Sequence, residues 1–258
     1  SLDRIVGEIV KYIPEYDFVA VDGIRHELWV VQDKNVQNIV DEFAKIPATY
    51  VADGHHRTAA AALVGQDYRK ENPKYTGEEA FNFFLAVHFP DNQLSIFDYN
   101  RVVKDLNGFS VEKFLEELKK VFSVSLHGKS PLKPAKLHEF GLYLAGNWYK
   151  LHALPGTYND NDPIGVLDVT ILSQHVLDPI LGIKNQRTDK RIDFVGGIRS
   201  LGELEKRVDS GEMAVAFALY PVSMKQLIDI ADSGEIMPPK TTWFEPKLRS
   251  GLVVHSLK

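Results

Sequence analysis

Between Asp53 and Thr58 the chain reads Asp-Gly-His-His-Arg-Thr: a carboxylate, a glycine, two imidazoles, a guanidinium and a hydroxyl in succession. A β-branched and aromatic run precedes it and the alanines Ala59, Ala60, Ala61 and Ala62 follow, so residues 48–65 predict strand, tight turn and helix. A helix N-terminus carries roughly half a positive charge and disfavours each nearby cation by about 0.3–1 kcal/mol. Crowding His55, His56 and Arg57 there makes chemical sense if an anion binds, held by free backbone N–H groups and by Arg57. The plainer alternative is a turn in which Asp53 caps the helix and the histidines are solvated. Magnesium suits such a site, since it needs one or two carboxylates plus substrate phosphates, and Asp53 supplies the carboxylate. Zinc does not, because adjacent helical residues diverge by about 100° and the chain has no His-x-x-x-His spacing.

Three further groups of residues invite the same question. Lys240, Thr241, Thr242 and Lys247 surround Trp243 in a stretch that reads as an irregular loop. The lysines suit a phosphate, the threonines could hydrogen-bond it and the indole could stack a base; the alternative is a loop that covers a sheet edge with solvated lysines. Asp98 and Asn100 fall on one face of a strand by alternation, beside Arg101, and read first as a polar network at the strand end. Asp193, Gly196, Gly197 and Arg199 form a strand-to-helix turn with little specificity as an anion site. The remaining histidines, scattered singly, read as structural.

The Asp53–Arg57 turn resembles the phosphate-binding motif of the ParB/sulfiredoxin superfamily, in the Asp-Gly-His-His-Arg form of the free-serine kinases. The chain as a whole resembles a bacterial and archaeal family known as domain of unknown function ten-fifteen. That likeness is carried by Ile24-Arg25-His26, Leu28-Trp29-Val30-Val31, the turn at 52–57, residues 98–103 and the closing stretch 237–248. The resemblance implies a ParB/sulfiredoxin-like core around 48–65 and a phosphate or nucleotide ligand. It also implies a further N-terminal segment, which could bring a catalytic acid, so the chain, which does not begin with methionine, is expected to be a fragment. Sulfiredoxin chemistry is not expected, because His55 stands where that motif carries its cysteine, and the chain has none.

The 258 residues are 44% hydrophobic and 25% charged, with a net charge of −5, an ordinary globular balance that lacks the basic excess of a nucleic-acid-coating surface. No stretch approaches the roughly 20 apolar residues of a membrane span, and the start lacks the apolar core of a signal peptide. The absence of cysteine removes disulfides and thiolate catalysis and agrees with a reducing cytoplasm.

These residues must be positioned by an α+β fold, expected as a mixed sheet with flanking helices. Helices are expected at 2–13, 35–46, 111–121, 168–181, 200–208 and 224–231. A hairpin turns at Asp22-Gly23, and a meander over 139–154 turns at Gly146-Asn147. The apolar run 81–89 reads as a mid-sheet strand pairing with 94–103, and 252–255 as the last strand. A linker at 129–134 would divide a phosphate-binding region, 1–128, from a C-terminal α+β region, 135–258.

The expected function is nucleotide-dependent phosphoryl transfer to a small hydroxylated metabolite, with Mg2+ and a nucleoside di- or triphosphate. Gly54, Arg57 and Thr58 would cradle phosphates, and Asp53, His55 and His56 would assist the chemistry. The alternatives are a non-catalytic nucleotide-binding module of ParB type and a metal-assisted phosphate-ester hydrolase. The oligomeric state and any protein partner are not legible.

Overall fold

A computed structural model describes residues 1–32 and 34–257, and the chain divides into two compact units, Ser1–Val51 and Ala52–Lys258. In the first, helix α1 (Leu2–Ile9) precedes the hairpin β1 (Tyr16–Val19) and β2 (Arg25–Leu28), and helix α2 (Lys34–Phe43) follows. The expected Asp22-Gly23 turn closes the hairpin: Gly23 adopts φ 79°, and the Ala20 N–H donates to Ile24 O at 2.9 Å. Arg25 is engaged by Asp17 at 2.7 Å and Glu27 at 3.1 Å, so its guanidinium serves the hairpin. Helix α1 stops short of the expected residue 13, several positions before Pro14, which disfavours helical backbone at its predecessor. None of this unit's described residues is buried.

The second unit opens with helix α3 (His55–Glu71) and continues through β3 (Ser95–Phe97), β4 (Tyr99–Val103), helix α4 (Val111–Leu118) and β5 (Phe122–Gly128). Then come β6 (Glu139–Leu144), β7 (Asn147–Ala153), helix α5 (Asp168–Leu172) with a π-helical extension over Ser173–Leu177, and β8 (Ile192–Gly196). Helix α6 (Ser200–Asp209), β9 (Val215–Ala218), helix α7 (Met224–Asp232) and β10 (Trp243–Glu245) complete it. Ser110 caps α4 through its hydroxyl, and Ser223 with Gln226 forms a full capping box on α7.

Six strands form one sheet in the order β5-β7-β6-β9-β4-β8, and every pairing is antiparallel. Alternation sorts its side chains between two cores. Val103, Leu142, Leu151, Val215 and Phe217 join Phe114 of α4, Leu172 of α5 and Ile230 of α7 on one face; Val102, Tyr143, Trp148, Ala216 and Ala218 join Leu204 of α6 on the other. The α+β class with helices flanking a sheet therefore holds, with antiparallel pairing throughout.

Several expected elements differ. Residues 129–134 join β5 to β6, two strands of one sheet, so the units divide at 51/52 and not at that stretch. Strand β5 itself escaped sequence reading, because it is a sheet edge whose residues are mostly exposed. Residues 48–52 belong to no strand, and β-branched content without a paired ladder does not make one. Residues 83–89 likewise join no sheet: the strand expected to pair with them, β4, has both edges filled by β8 and β9. Phe83, Phe84, Leu85 and Val87 are consequently exposed. Residues 252–255 are irregular, with His255 Nε2 lying 2.8 Å from Ala80 O.

Candidate functional site

The site is built wholly within the second unit, where helix α3 begins. Gly54 precedes it in the left-handed region (φ 83°), and Thr58 N–H donates to Gly54 O at 2.9 Å as the first turn closes. Among the described residues no side chain caps this end, so Asp53 does not cap the helix as the plainer alternative had it. Its Oδ1 accepts instead from the Gly54 N–H at 2.7 Å. Arg57 folds back over the turn: a Cβ built on Gly54 would lie 3.1 Å from its Nη2. Glycine is needed here for both backbone angle and guanidinium clearance. His55 and His56 are exposed, and Thr58 is half-buried.

The alanines Ala59, Ala60 and Ala62 are exposed and do not seat α3 against its neighbours. The close approach falls at Gly65, the helix's one buried residue, where a Cβ would stand 3.0 Å from Phe81 O.

The segment that follows β10 reaches the same turn. Lys247 Nζ donates to Asp53 Oδ2 at 2.9 Å, joining residues 194 positions apart. Strand β10 pairs with β3, Trp243 opposite Phe97, and this ribbon carries the loop to its place. Glu245 fixes the local geometry, accepting from Trp243 Nε1 at 2.8 Å and from the Lys247 N–H at 3.0 Å. The Lys247 ammonium then lies 5.2 Å from the Trp243 ring centroid. Trp243 meets Tyr99 at 5.6 Å between centroids, and Lys240 Nζ lies 5.7 Å from the Tyr99 ring.

Electrostatics follow from this packing. Partial burial raises the Asp53 carboxyl, but the hydrogen bonds from Lys247 and Gly54 and the charges of Lys247 and Arg57 outweigh it and hold its pKa below the usual value. Asp53 is therefore ionised at neutral pH. Of the threonines, Thr241 is buried and its hydroxyl donates to Pro238 O at 2.6 Å, so it holds its own loop together; Thr242 is half-buried. Among the described residues no three acidic or imidazole groups gather as a metal cluster. A single carboxylate, Asp53, could share a hard cation with ligand phosphates, and it fits magnesium only in that manner.

The other candidates resolve structurally. Asn100 Nδ2 donates to Asp98 Oδ2 at 2.5 Å and Asn100 Oδ1 accepts from the Leu219 N–H at 3.0 Å, the buried strand-end network expected. Gly197 N–H donates to Asp98 O at 2.8 Å, and a Cβ on Gly197 would overlap the Asp98 carboxylate, which explains the glycine without an anion. Asp193 pairs with Arg207 at 2.7 Å. Sequence reasoning missed Tyr99, the ring beneath Lys240. Alternation held the signal: with Asp98 and Asn100 on one face, Tyr99 and Arg101 fall on the other.

Residues 1–170 match the model of the family described as Protein of unknown function (DUF1015). The chain belongs to this family. No curated protein matches it significantly. Among solved structures, a conserved hypothetical protein from Pyrococcus furiosus is similar at 17% identity and a TM-score of 0.42, over 81% of this chain and 82% of that one. A free serine kinase in complex with AMP is similar at 15% identity and a TM-score of 0.40, over 83% and 81%. A free serine kinase variant in complex with ADP gives 13% and 0.40 over the same shares. TM-scores this low leave the site's own residues as the ground for its function.

Proposed function

We propose that the turn at Asp53–Thr58 and the loop at 240–247 form one nucleotide site, and that the protein transfers a phosphoryl group from a nucleotide to a small hydroxylated metabolite. The carrying observation is the Lys247–Asp53 contact, which brings the base-stacking candidate Trp243 and a second cation to the uncapped helix end. Backbone N–H groups of the first turn, with Gly54 allowing close approach, would hold phosphate oxygens, and Arg57 would neutralise the charge developing in transfer. Lys240 and Lys247 would add charge at the rim, Trp243 and Tyr99 a stacking surface, and Thr58 and Thr242 hydroxyls. His55 and His56, exposed beside the phosphates, are assigned as proton donors. Magnesium, held by Asp53 and the phosphates, would draw charge from the leaving group. The likeness of the turn to the ParB/sulfiredoxin motif supports the same assignment, and a cysteine-free metabolite enzyme of this kind is assigned to the cytoplasm.

A second reading, a nucleotide-binding module without turnover, is favoured by one observation. Both Asp53 oxygens are engaged and its pKa is lowered, which makes it a weak base.

Calorimetric titration of ATP, ADP and CTP, with and without magnesium, into the wild type and Arg57→Ala tests the site. Micromolar binding that the variant loses supports it; binding by neither protein refutes both readings. Asp53→Asn then separates them. In the transfer enzyme it lowers turnover by ~10²-fold or more while affinity persists, whereas a module forms no phosphorylated product with either protein.

A further inference from the structure

Residues 83–89, Phe-Phe-Leu-Ala-Val-His-Phe, run between two short 3-10 turns, Ala80–Asn82 and Asp91–Gln93, with no turn, bend or helix of their own. The backbone is extended at Phe83 (φ −121°, ψ 160°) and again at Pro90 (φ −62°, ψ 144°), and no residue between them has a positive φ. Among the described residues, Phe84, Leu85, Ala86 and Val87 take part in no backbone–backbone hydrogen bond. The run is nonetheless held at both ends. Phe81 stacks on Tyr68 of α3 at 5.4 Å between centroids, and Asn82 accepts from Arg69 Nε at 2.7 Å and donates to Glu79 at 3.0 Å. At the far end the Gln93 N–H donates to Pro90 O at 3.0 Å, and β3 follows. A run fixed in this way loses less entropy on pairing than a free one.

Its composition is that of a strand covered by another strand. From Phe81 to Pro90 there is no Asp, Glu, Lys or Arg. Edges that stay unpaired are blunted by charge, by proline or by a bulge, and here proline enters only at the last position. Phe83, Phe84, Leu85 and Val87 are 53%, 52%, 52% and 58% exposed. Alternation sends Phe83, Leu85 and Val87 to one face and Phe84 and Ala86 to the other, so both faces are apolar. At roughly 150–200 Å² per large side chain these four present about 350–400 Å², and with the backbone and Ala86 about 500 Å² per copy. Two copies would together bury about 1,000 Å², the lower bound for a specific association.

An uncharged run meets its own copy without setting like charges opposite each other within it, and an antiparallel pairing about a two-fold axis puts apolar side chains against apolar ones. The chain's net charge of −5 opposes close approach of two copies elsewhere, and this run carries none of it. We propose that residues 83–87 pair with the same residues of a second copy as an antiparallel β-ladder, closing a homodimer. The pairing does not rest on the nucleotide reading. Its area sets the dissociation constant on the order of 10 μM.

Sedimentation velocity from about 1 to about 200 μM, on the wild type, Leu85→Lys and Ala86→Pro, tests the pairing across that constant. The wild type is expected to pass from monomer to dimer as concentration rises. Leu85→Lys puts a charge into the ladder and Ala86→Pro removes one of its N–H donors, and each weakens dimerisation at least tenfold. Both positions are exposed, so the fold persists, which thermal melts check; if Ala86→Pro fails to fold, Leu85→Lys decides alone. Hydrogen exchange of the wild type adds the structural readout: amides of residues 84–87 gain protection at the dimeric concentration and lose it on dilution. A monomer at every concentration overturns the proposal and leaves the run to a different polypeptide. A dimer that Leu85→Lys leaves intact, a dimer without protection at 84–87, or association that continues past the dimer overturns it as well.

Discussion

Asp168→Asn should make the protein more stable at pH 8 and leave it nearly unchanged at pH 4. Asp168 opens α5 at 3% exposure; the His138 N–H donates to its Oδ1 at 2.9 Å, while Oδ2 has no partner. Burial dominates the hydrogen bonds from His138 and Tyr220 and pushes its pKa up to about 7, against 3.8 for an ordinary aspartate. Because the folded value lies above the unfolded one, the folded chain holds this proton after the unfolded chain has released it. Stability is therefore whole below pH 4 and falls as pH rises toward 7. At about 1.4 kcal/mol per pH unit the full loss approaches 4 kcal/mol, of which about 2.5 kcal/mol falls between pH 5 and pH 8. In a chain of this size that is about 5–10 °C in Tm. Asparagine keeps the acceptor for His138 and has no proton to lose, so its stability should be flatter across the range. Urea denaturation of both proteins at pH 5, 6, 7 and 8, followed by tryptophan fluorescence, measures the difference. Parallel wild-type and variant profiles would show that Asp168 is not desolvated as its burial implies.

Three other perturbations have definite outcomes. Lys247→Met should raise the Asp53 pKa toward the ordinary carboxylate value, read by carbon NMR, and weaken nucleotide binding in calorimetry; stability should change by less than ~1 kcal/mol because the pair is exposed. Gly196→Ala would place its Cβ 2.6 Å from Trp243 Cε3. The ring must move, at about 1–3 kcal/mol in urea denaturation and with a shifted tryptophan emission. Ser223→Ala removes half of the capping box on α7 and should cost about 1 kcal/mol without altering ligand binding.

The elements that were legible share local signals. Alternating runs announced β6 and β7, and apolar periodicity announced α4 and α7 before any tertiary contact was needed. Residues 81–89 misled because a run of Phe, Leu and Val states an appetite for burial without naming a partner strand, and β4 had better ones in β8 and β9. The turn at 53–58 stood out in the sequence as a candidate because its cations oppose the helix dipole. Lys247 was a candidate by type, yet its contact with Asp53 depends on β10 pairing with β3, a long-range event that no local pattern encodes. Arg101 lay in plain view beside Asp98, and both are buried, on opposite faces of the strand.

The ribbon of β3 and β10, three residues a side, has a consequence for timing. It ties Lys247 to a partner made 194 residues earlier, so a chain emerging from the ribosome can complete its six-stranded sheet before the ribbon exists. Until then the α3 end has Arg57 but neither Lys247 nor Trp243. The same order reversed describes fraying: so short a ribbon should open at a fraction of the free energy that melts the sheet, undoing the site while the core persists. Hydrogen exchange would see this as early loss of protection at Trp243 to Glu245, with Val215 to Ala218 still closed.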